Sequence, residues 1–362
     1  MKKLLRDHAV GEAVDCICLL AAVQAKKTRK DKPYLRFEFG DAGGRVPGVM
    51  WEGFDEQLAG LPPGEVVRVL GRMDQWEDRP QLAVQSIHLP PPGSYQPTDL
   101  LPSSERNLEQ MLGELDRIVE SIKFAPLRKL LGGMFAHGDF RNSFSRAPAA
   151  KRWHQPYLGG LLEHTLNVHY HALNMAGRYP QVELDMVSAG ALVHDIGKTV
   201  EYNVEDFFNS STRGRLLGHL VIGVEILDSW IRKVEDFPEE AGWHLKHVIL
   251  SHHGHYEFGS PVVPRTLEAL IVHFADDLDA KINGVLRIYQ RESRDPGDWT
   301  SYVRLMEREF FKSRVLPGGE TAGESPPAGP PEAKPGRTRP AEEQPDFFDN
   351  GDDERNREGF PQ

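Results

Sequence analysis

Cysteine is nearly missing from this sequence: Cys16 and Cys18 are the only two in 362 residues. They stand two apart in a run that alternates like a strand, so both point the same way and offer neither disulfide nor thiolate-metal spacing. They read as small core residues of a reducing compartment. Long apolar runs are missing too, and nothing approaches the ~20 residues of a membrane-spanning helix. The start, MKKLLRDHAVGEAVDC, has basic residues but not the apolar stretch of a signal peptide. A cytoplasmic protein without membrane attachment is expected. Positive charge is in deficit, with 43 Lys and Arg against 54 Asp and Glu, a net charge of -11. The deficit is uneven: from Pro317 onward there are 11 acidic and 5 basic residues, so that segment carries -6 of the total. The remainder is only mildly acidic, and a nucleic-acid partner is not excluded.

That terminal segment, opening PGGETAGESPPAGPPEAKPGRTRP, is too rich in Pro, Gly and Glu to bury a core and is expected to be disordered over 315–362. Within it EEQPDFFDNGDDE sets two aromatics among acids, a candidate docking motif for a protein partner beside the plainer reading of a solvated tail.

Residues 1–92 have the period of strands. AVDCICLL alternates Val14, Cys16, Cys18 and Leu20 on one face, and PYLRFEFGDAGG sets Leu35, Phe37 and Phe39 opposite Tyr34, Arg36 and Glu38. RVPGVMW, GEVVRVLGRM and QLAVQSIHL follow between Gly, Pro and Asp turns, which makes five strands and an all-β barrel. A long first strand, the basic loop KKTRKDK, a paired strand ending in GDAGG, then GVMW resemble the OB-fold nucleic-acid-binding module. The resemblance implies that Tyr34, Arg36, Trp51 and Trp76, with Lys26, Lys27, Arg29 and Lys30, bind a single strand by stacking and by following its backbone. Core or rim packing of the aromatics and a solvated loop are the plainer alternatives.

LPPPGSYQPTDLLPSS reads as a linker at 93–104, and the pattern then turns helical over 105–314. His164 lies on the apolar stripe of GGLLEHTLNV. His219 opens the stripe Ile222, Gly223, Ile226 and Trp230. His252, with His253 beside it, closes Leu245, Val248 and Ile249. ALVHDIGK ends another apolar run with His194 and Asp195. Asp276 lies beside a stripe of Leu267, Ile271, Phe274 and Leu278, where Asp277 and Asp279 leave the ligand ambiguous. One inward histidine is more often a hydrogen-bonded core residue than a ligand. Several, with carboxylates and no matching cationic cluster, are better satisfied by divalent metal.

His164, His194-Asp195 and Asp276 in this order resemble the HD-domain phosphohydrolase superfamily. The resemblance implies one metal on His164, His194, Asp195 and Asp276, and a second on His219 and His252, with His253 as a further candidate. Asp195 would bridge the two, and Lys198 would help neutralise phosphate. Manganese or cobalt is expected, with iron or zinc as alternatives. A barrel followed by APAAKRWHQPYLGGLLEHTLNV, ALVHDIGK, GHLVIGVEIL and LKHVILSHHG is similar to the YhaM family of 3'-5' exoribonucleases over about residues 10–290. That likeness implies metal-dependent release of 5'-nucleoside monophosphates from the 3' end of single-stranded RNA, with single-stranded DNA as a second substrate. WHQPY departs from it, because a second histidine is expected after His154, and this weakens any role for that neighbourhood in the site. Arg265 and Arg152 are weak phosphate-binding candidates, and Glu163, Asp206 and His255 are polar residues near motifs. The competing readings are a hydrolase of small nucleotides with a regulatory barrel and a nucleic-acid-binding protein with a structural metal. Oligomeric state is left open.

Overall fold

The computed structural model describes residues 3–312 apart from 29, 63, 77–78, 205–206 and 294–296. Arg29, Asp206 and the acidic tail with its paired phenylalanines lie outside the described residues.

Strands β1 (Ala13–Lys27), β2 (Pro33–Asp41), β3 (Gly44–Met50), β4 (Val66–Trp76) and β5 (Arg79–His88), with a short helix α1 (Glu56–Ala59) before β4, form a closed barrel in the order β1-β2-β3-β5-β4. β1 is long enough to serve two neighbours. Its first half pairs with β4, its second half with β2, and a register shift between Leu20 and Ala22 bends it from one to the other. The alternation read from the sequence is the one observed: Val14, Cys16, Cys18, Leu20, Leu35, Phe37 and Phe39 all face the barrel core with Val69, Met73 and Leu82. Both cysteines are free and buried.

The helical part comprises α2 (Leu108–Ser121), α3 (Ala125–Ala136), α4 (Gly138–Arg146), α5 (Gly160–Ala176), α6 (Leu184–Val193), α7 (Lys198–Glu201), α8 (Thr212–Ile231), α9 (Glu239–Ser251) and α10 (Leu267–Arg291). Two expectations need correction. The segment after α7 is not wholly helical, because β6 (Tyr202–Asn203) and β7 (Asn209–Ser210) pair as a small hairpin. Strands of two residues are too short to show a period of two. Second, the large residues of α10 face outward: Leu267, Phe274 and Leu278 are 51%, 54% and 42% exposed. Its buried face carries Ala269, Val272, Ala275 and Asp279 instead. α10 packs against α5, α6 and α9, and small residues there let the backbones approach. Among the described residues no helix is long and apolar enough to cross a membrane.

Candidate functional site

Five segments deliver donor groups to the middle of the helical part. His164 comes from α5, His194 and Asp195 from the end of α6, His219 from α8, His252 and His253 from the end of α9, and Asp276 from α10. Local chemistry explains two of these placements. α8 breaks at Gly218, whose φ of 71° suits glycine, and the break turns His219 inward. A side chain at Gly197 of HDIGK would overlap the His219 carbonyl, so only glycine lets the two backbones meet.

The donor atoms form two groups. Those of His164, His194, Asp195 and Asp276 lie within 4.8 Å of one another, as do those of His219, His252 and His253. Asp195 stands between the groups. Its Oδ2 is 3.2 Å from His194 Nε2 and 3.6 Å from His164 Nε2, while Oδ1 is 3.5 Å from His219 Nε2 and 3.4 Å from His252 Nε2. Oδ1 is buried with no hydrogen-bond partner.

Four of the five imidazoles are held by a hydrogen bond at Nδ1, and His219 has a carboxylate oxygen beside its own. Nδ1 lies 2.7 Å from Asp279 Oδ2 in His164, 2.8 Å from the Ala191 carbonyl in His194 and 3.0 Å from Glu201 in His219. In His252 it lies 2.8 Å from the Ile249 carbonyl, and in His253 2.9 Å from the Phe258 carbonyl. Carbonyls and carboxylates only accept, so in His164, His194, His252 and His253 Nδ1 carries a hydrogen, and each ring turns its Nε2 to the centre. These nitrogens face one another: His164 Nε2 is 3.3 Å from His194 Nε2, and His219 Nε2 is 3.2 Å from His253 Nε2. Acceptors this close need a cation or a proton between them. Imidazole nitrogens and carboxylate oxygens gathered in this way fit divalent metal.

Protonation follows the same geometry. Burial pushes His164 down, but Asp276 and Asp279 outweigh it and raise it to about 9, so without an ion a proton sits between the carboxylates. An incoming cation must displace that proton. Burial lowers His252 to about 3 and keeps it neutral. Burial would raise Asp195 and Asp276. Lys198 and His194 hold Asp195 ionised, and His164 and His194 do the same for Asp276. Lys198 Nζ lies 2.6 Å from Asp195 Oδ2.

Asp279 does not join the donor groups; it is the acceptor that aligns His164. Gln155, Asn167 and Asn283 each donate to it at 3.0, 3.0 and 2.9 Å. Asp277 turns away and pairs with Lys281. Asp279→Asn replaces one of these acceptor oxygens with a donor facing other donors. Chelator competition is expected to show about 10- to 100-fold weaker metal binding in the variant, and unchanged affinity would mean the His164 orientation does not depend on it. Sequence reasoning missed Glu201, Asn167 and Asn283 as supports, although Asn167 and Asn283 follow His164 and Asp279 at helical spacing.

The neighbourhood of His154, whose role in the site the sequence weakens, lies beside the donor groups. Its ring lies 4.9 Å from the ring of His164, and Gln155, where a second histidine was expected, donates to Asp279. Distance in sequence hid this, because 124 residues separate Gln155 from Asp279. Glu163 accepts from the Ser104 hydroxyl and pins the linker to α5. His255 is exposed, as are Arg152 and Arg265, and neither arginine stands among the donor groups.

On the barrel, Lys26 is registered opposite Tyr34 on neighbouring strands, with Arg36 two residues along the same outer face. Trp51 follows β3 and its ring lies 4.9 Å from that of Tyr34. Trp51 and Trp76 are 53% and 63% exposed, so both offer ring faces to solvent. Lys30 is exposed, and Lys27 pairs with Asp31 at 2.8 Å.

Residues 161–281 match the HD domain family and residues 18–90 match an OB-fold nucleic acid binding domain family. The two together define an HD-domain enzyme equipped with a nucleic-acid-binding barrel. The 3'-5' exoribonuclease YhaM of Bacillus subtilis (strain 168) is 30% identical over 317 residues, covering 86% of this chain and 98% of that protein. The enzyme of the same name from Geobacillus sp. (strain WCH70) is 28% identical over 314 residues, 86% of this chain and 95% of its own. The chain belongs to the YhaM family of 3'-5' exoribonucleases.

Proposed function

We propose that this protein is a metal-dependent 3'-5' exoribonuclease that removes 5'-nucleoside monophosphates from single-stranded RNA, with single-stranded DNA as a secondary substrate. The observation that carries the reading is Asp195, one carboxylate with an oxygen turned to each of two histidine groups. When bound, two divalent ions would lower the pKa of the attacking water and offset charge on the phosphate. His164, His194, Asp195 and Asp276 would hold one; Asp195, His219, His252 and His253 would hold the other. Manganese or cobalt suits this mixture best, with iron or zinc next. Lys198, held against Asp195, places a positive charge beside the reacting phosphate. The barrel, within 1–92, keeps the strand near the helical hydrolase of 105–314 and raises its local concentration there. Tyr34, Trp51 and Trp76 would stack on bases, and Lys26, Lys27, Arg29, Lys30 and Arg36 would follow the backbone. Arg152 and Arg265 remain weaker phosphate contacts. Residence in the cytoplasm suits the two unpaired cysteines.

One assay tests this. Purified protein with Mn2+ is given 5'-labelled and 3'-labelled oligoribonucleotides beside cyclic and triphosphate nucleotides. Labelled mononucleotide is expected at once from the 3' label and only after full shortening from the 5' label. Hydrolysis confined to free nucleotides would move the assignment to a small-nucleotide hydrolase with a regulatory barrel. Binding without turnover would leave a nucleic-acid-binding protein with a structural metal.

A further inference from the structure

His154 is neither a member of the two donor groups nor a support behind them. It is partly exposed as a residue, yet both of its ring nitrogens are enclosed and neither has a hydrogen-bond partner. A buried polar atom left unpaired costs about 1–3 kcal/mol, and native proteins rarely keep two on one ring without a use. The ring lies against that of His164 and within electrostatic reach of Lys198, Asp276 and Asp195, so it borders the charged centre with both nitrogens unpartnered.

The segment that carries it is fastened to α10 at three points. Arg287 Nη1 donates to the carbonyls of Arg152 and Trp153, at 2.5 and 2.7 Å. Trp153 packs over Gly284, where any side chain would overlap its indole. Gln155 donates to Asp279 and adopts a φ of 35°, a left-handed conformation that a non-glycine residue holds only when its surroundings impose it. Its carbonyl accepts from Ala149 and Tyr157. Strained, clamped backbone next to a histidine with both nitrogens free is the arrangement of a group held ready for a ligand. Four of the other imidazoles of the centre have Nδ1 hydrogen-bonded to a protein oxygen, and the fifth, His219, has a carboxylate oxygen at 3.0 Å; this one has neither nitrogen bound.

We propose that His154 is a further catalytic residue, whose ring N–H donates a hydrogen bond to a non-bridging oxygen of the phosphate under attack. This rests on the nuclease reading above. Such a donor, fixed before substrate arrives, acts most strongly where charge builds on that oxygen, so its effect falls on turnover more than on binding of the strand.

The test compares His154→Ala, His154→Asn and His154→Gln in the full-length, metal-loaded protein. The alanine variant is expected to lose about 10²-fold in kcat, with KM for a long oligoribonucleotide within about threefold of wild type because the barrel still binds the strand. Metal content by elemental analysis should not change. The amide variants keep an N–H donor, and the one whose reach matches should recover part of the lost kcat. Inhibition by 5'-AMP should weaken about tenfold in the alanine variant, since its donor to phosphate is gone. Wild-type kcat and 5'-AMP affinity in His154→Ala would overturn the proposal, and so would loss of metal ions from that variant, which would make His154 a ligand or a structural support. If the alanine variant does not fold, His154→Phe, which keeps a ring but has no N–H donor, carries the same comparisons. Should wild-type protein leave RNA intact, the nuclease reading fails, and calorimetry of 5'-AMP binding to wild type and variants still decides whether His154 touches phosphate.

Discussion

Asp195→Asn is expected to reduce release of mononucleotide by at least about 10³-fold, which is about 4 kcal/mol of transition-state stabilisation, while oligoribonucleotide affinity stays within about twofold. The change leaves the shape of the side chain and replaces one anionic oxygen by an amide. Because Oδ1 and Oδ2 face different histidine groups, the substitution injures both at once. It also removes the partner of buried Lys198, and breaking such a pair typically costs about 3–5 kcal/mol. Thermal unfolding therefore has to accompany the kinetics. A double variant, Asp195→Asn with Lys198→Met, removes both charges and should recover much of the stability without recovering activity. Equal loss of binding and turnover in a folded single variant would mean that the strand is not held by the barrel. Activity near wild type would remove the bridging role of Asp195.

The barrel should respond in the opposite sense. Tyr34→Ala combined with Trp51→Ala removes two adjoining rings, and stacking of a base on an aromatic is worth about 1–3 kcal/mol, so affinity for single-stranded RNA should fall about 10- to 100-fold or more. At saturating RNA kcat should hold, and cleavage of a dinucleotide, which has few bases to stack, should be affected least. Fluorescence anisotropy with labelled RNA measures the first and steady-state kinetics the others. Replacing Lys26, Lys30 or Arg36 by alanine leaves one phosphate fewer neutralised in each case, which should flatten the salt dependence of log K by about 0.7. An unchanged Kd in the aromatic double variant would make Tyr34 and Trp51 rim packing.

The barrel was readable because strand periodicity is local. Leu35, Phe37 and Phe39 alternate with Tyr34, Arg36 and Glu38, and that alternation alone assigns a face to each. His194 and Asp195 were readable for a related reason, as ionisable groups following the apolar run Ala189–Val193 that ends helix α6. α10 was misread because its periodicity is real but belongs to the solvent side. A stripe of large residues states that a helix has two faces, and which face is covered depends on the neighbouring helices. Asp276, Asp277 and Asp279 crowd into four positions of α10 yet meet the donor groups, solvent and the His164 ring respectively.

Length, composition and spacing carried the two-part architecture, the pairing of imidazole with carboxylate, and the family resemblance. These are properties of residue type and of neighbours a few positions away. The division of the other six donors around the two oxygens of Asp195, the orientation of the imidazoles by oxygens behind them, and the return of His154 and Gln155 to the centre came from packing alone. Each needs segments distant in the chain to meet at hydrogen-bond distance, as Gln155 and Asp279 do. No local pattern encodes that distance, because the rotation of a helix about its own axis is set by what packs against it.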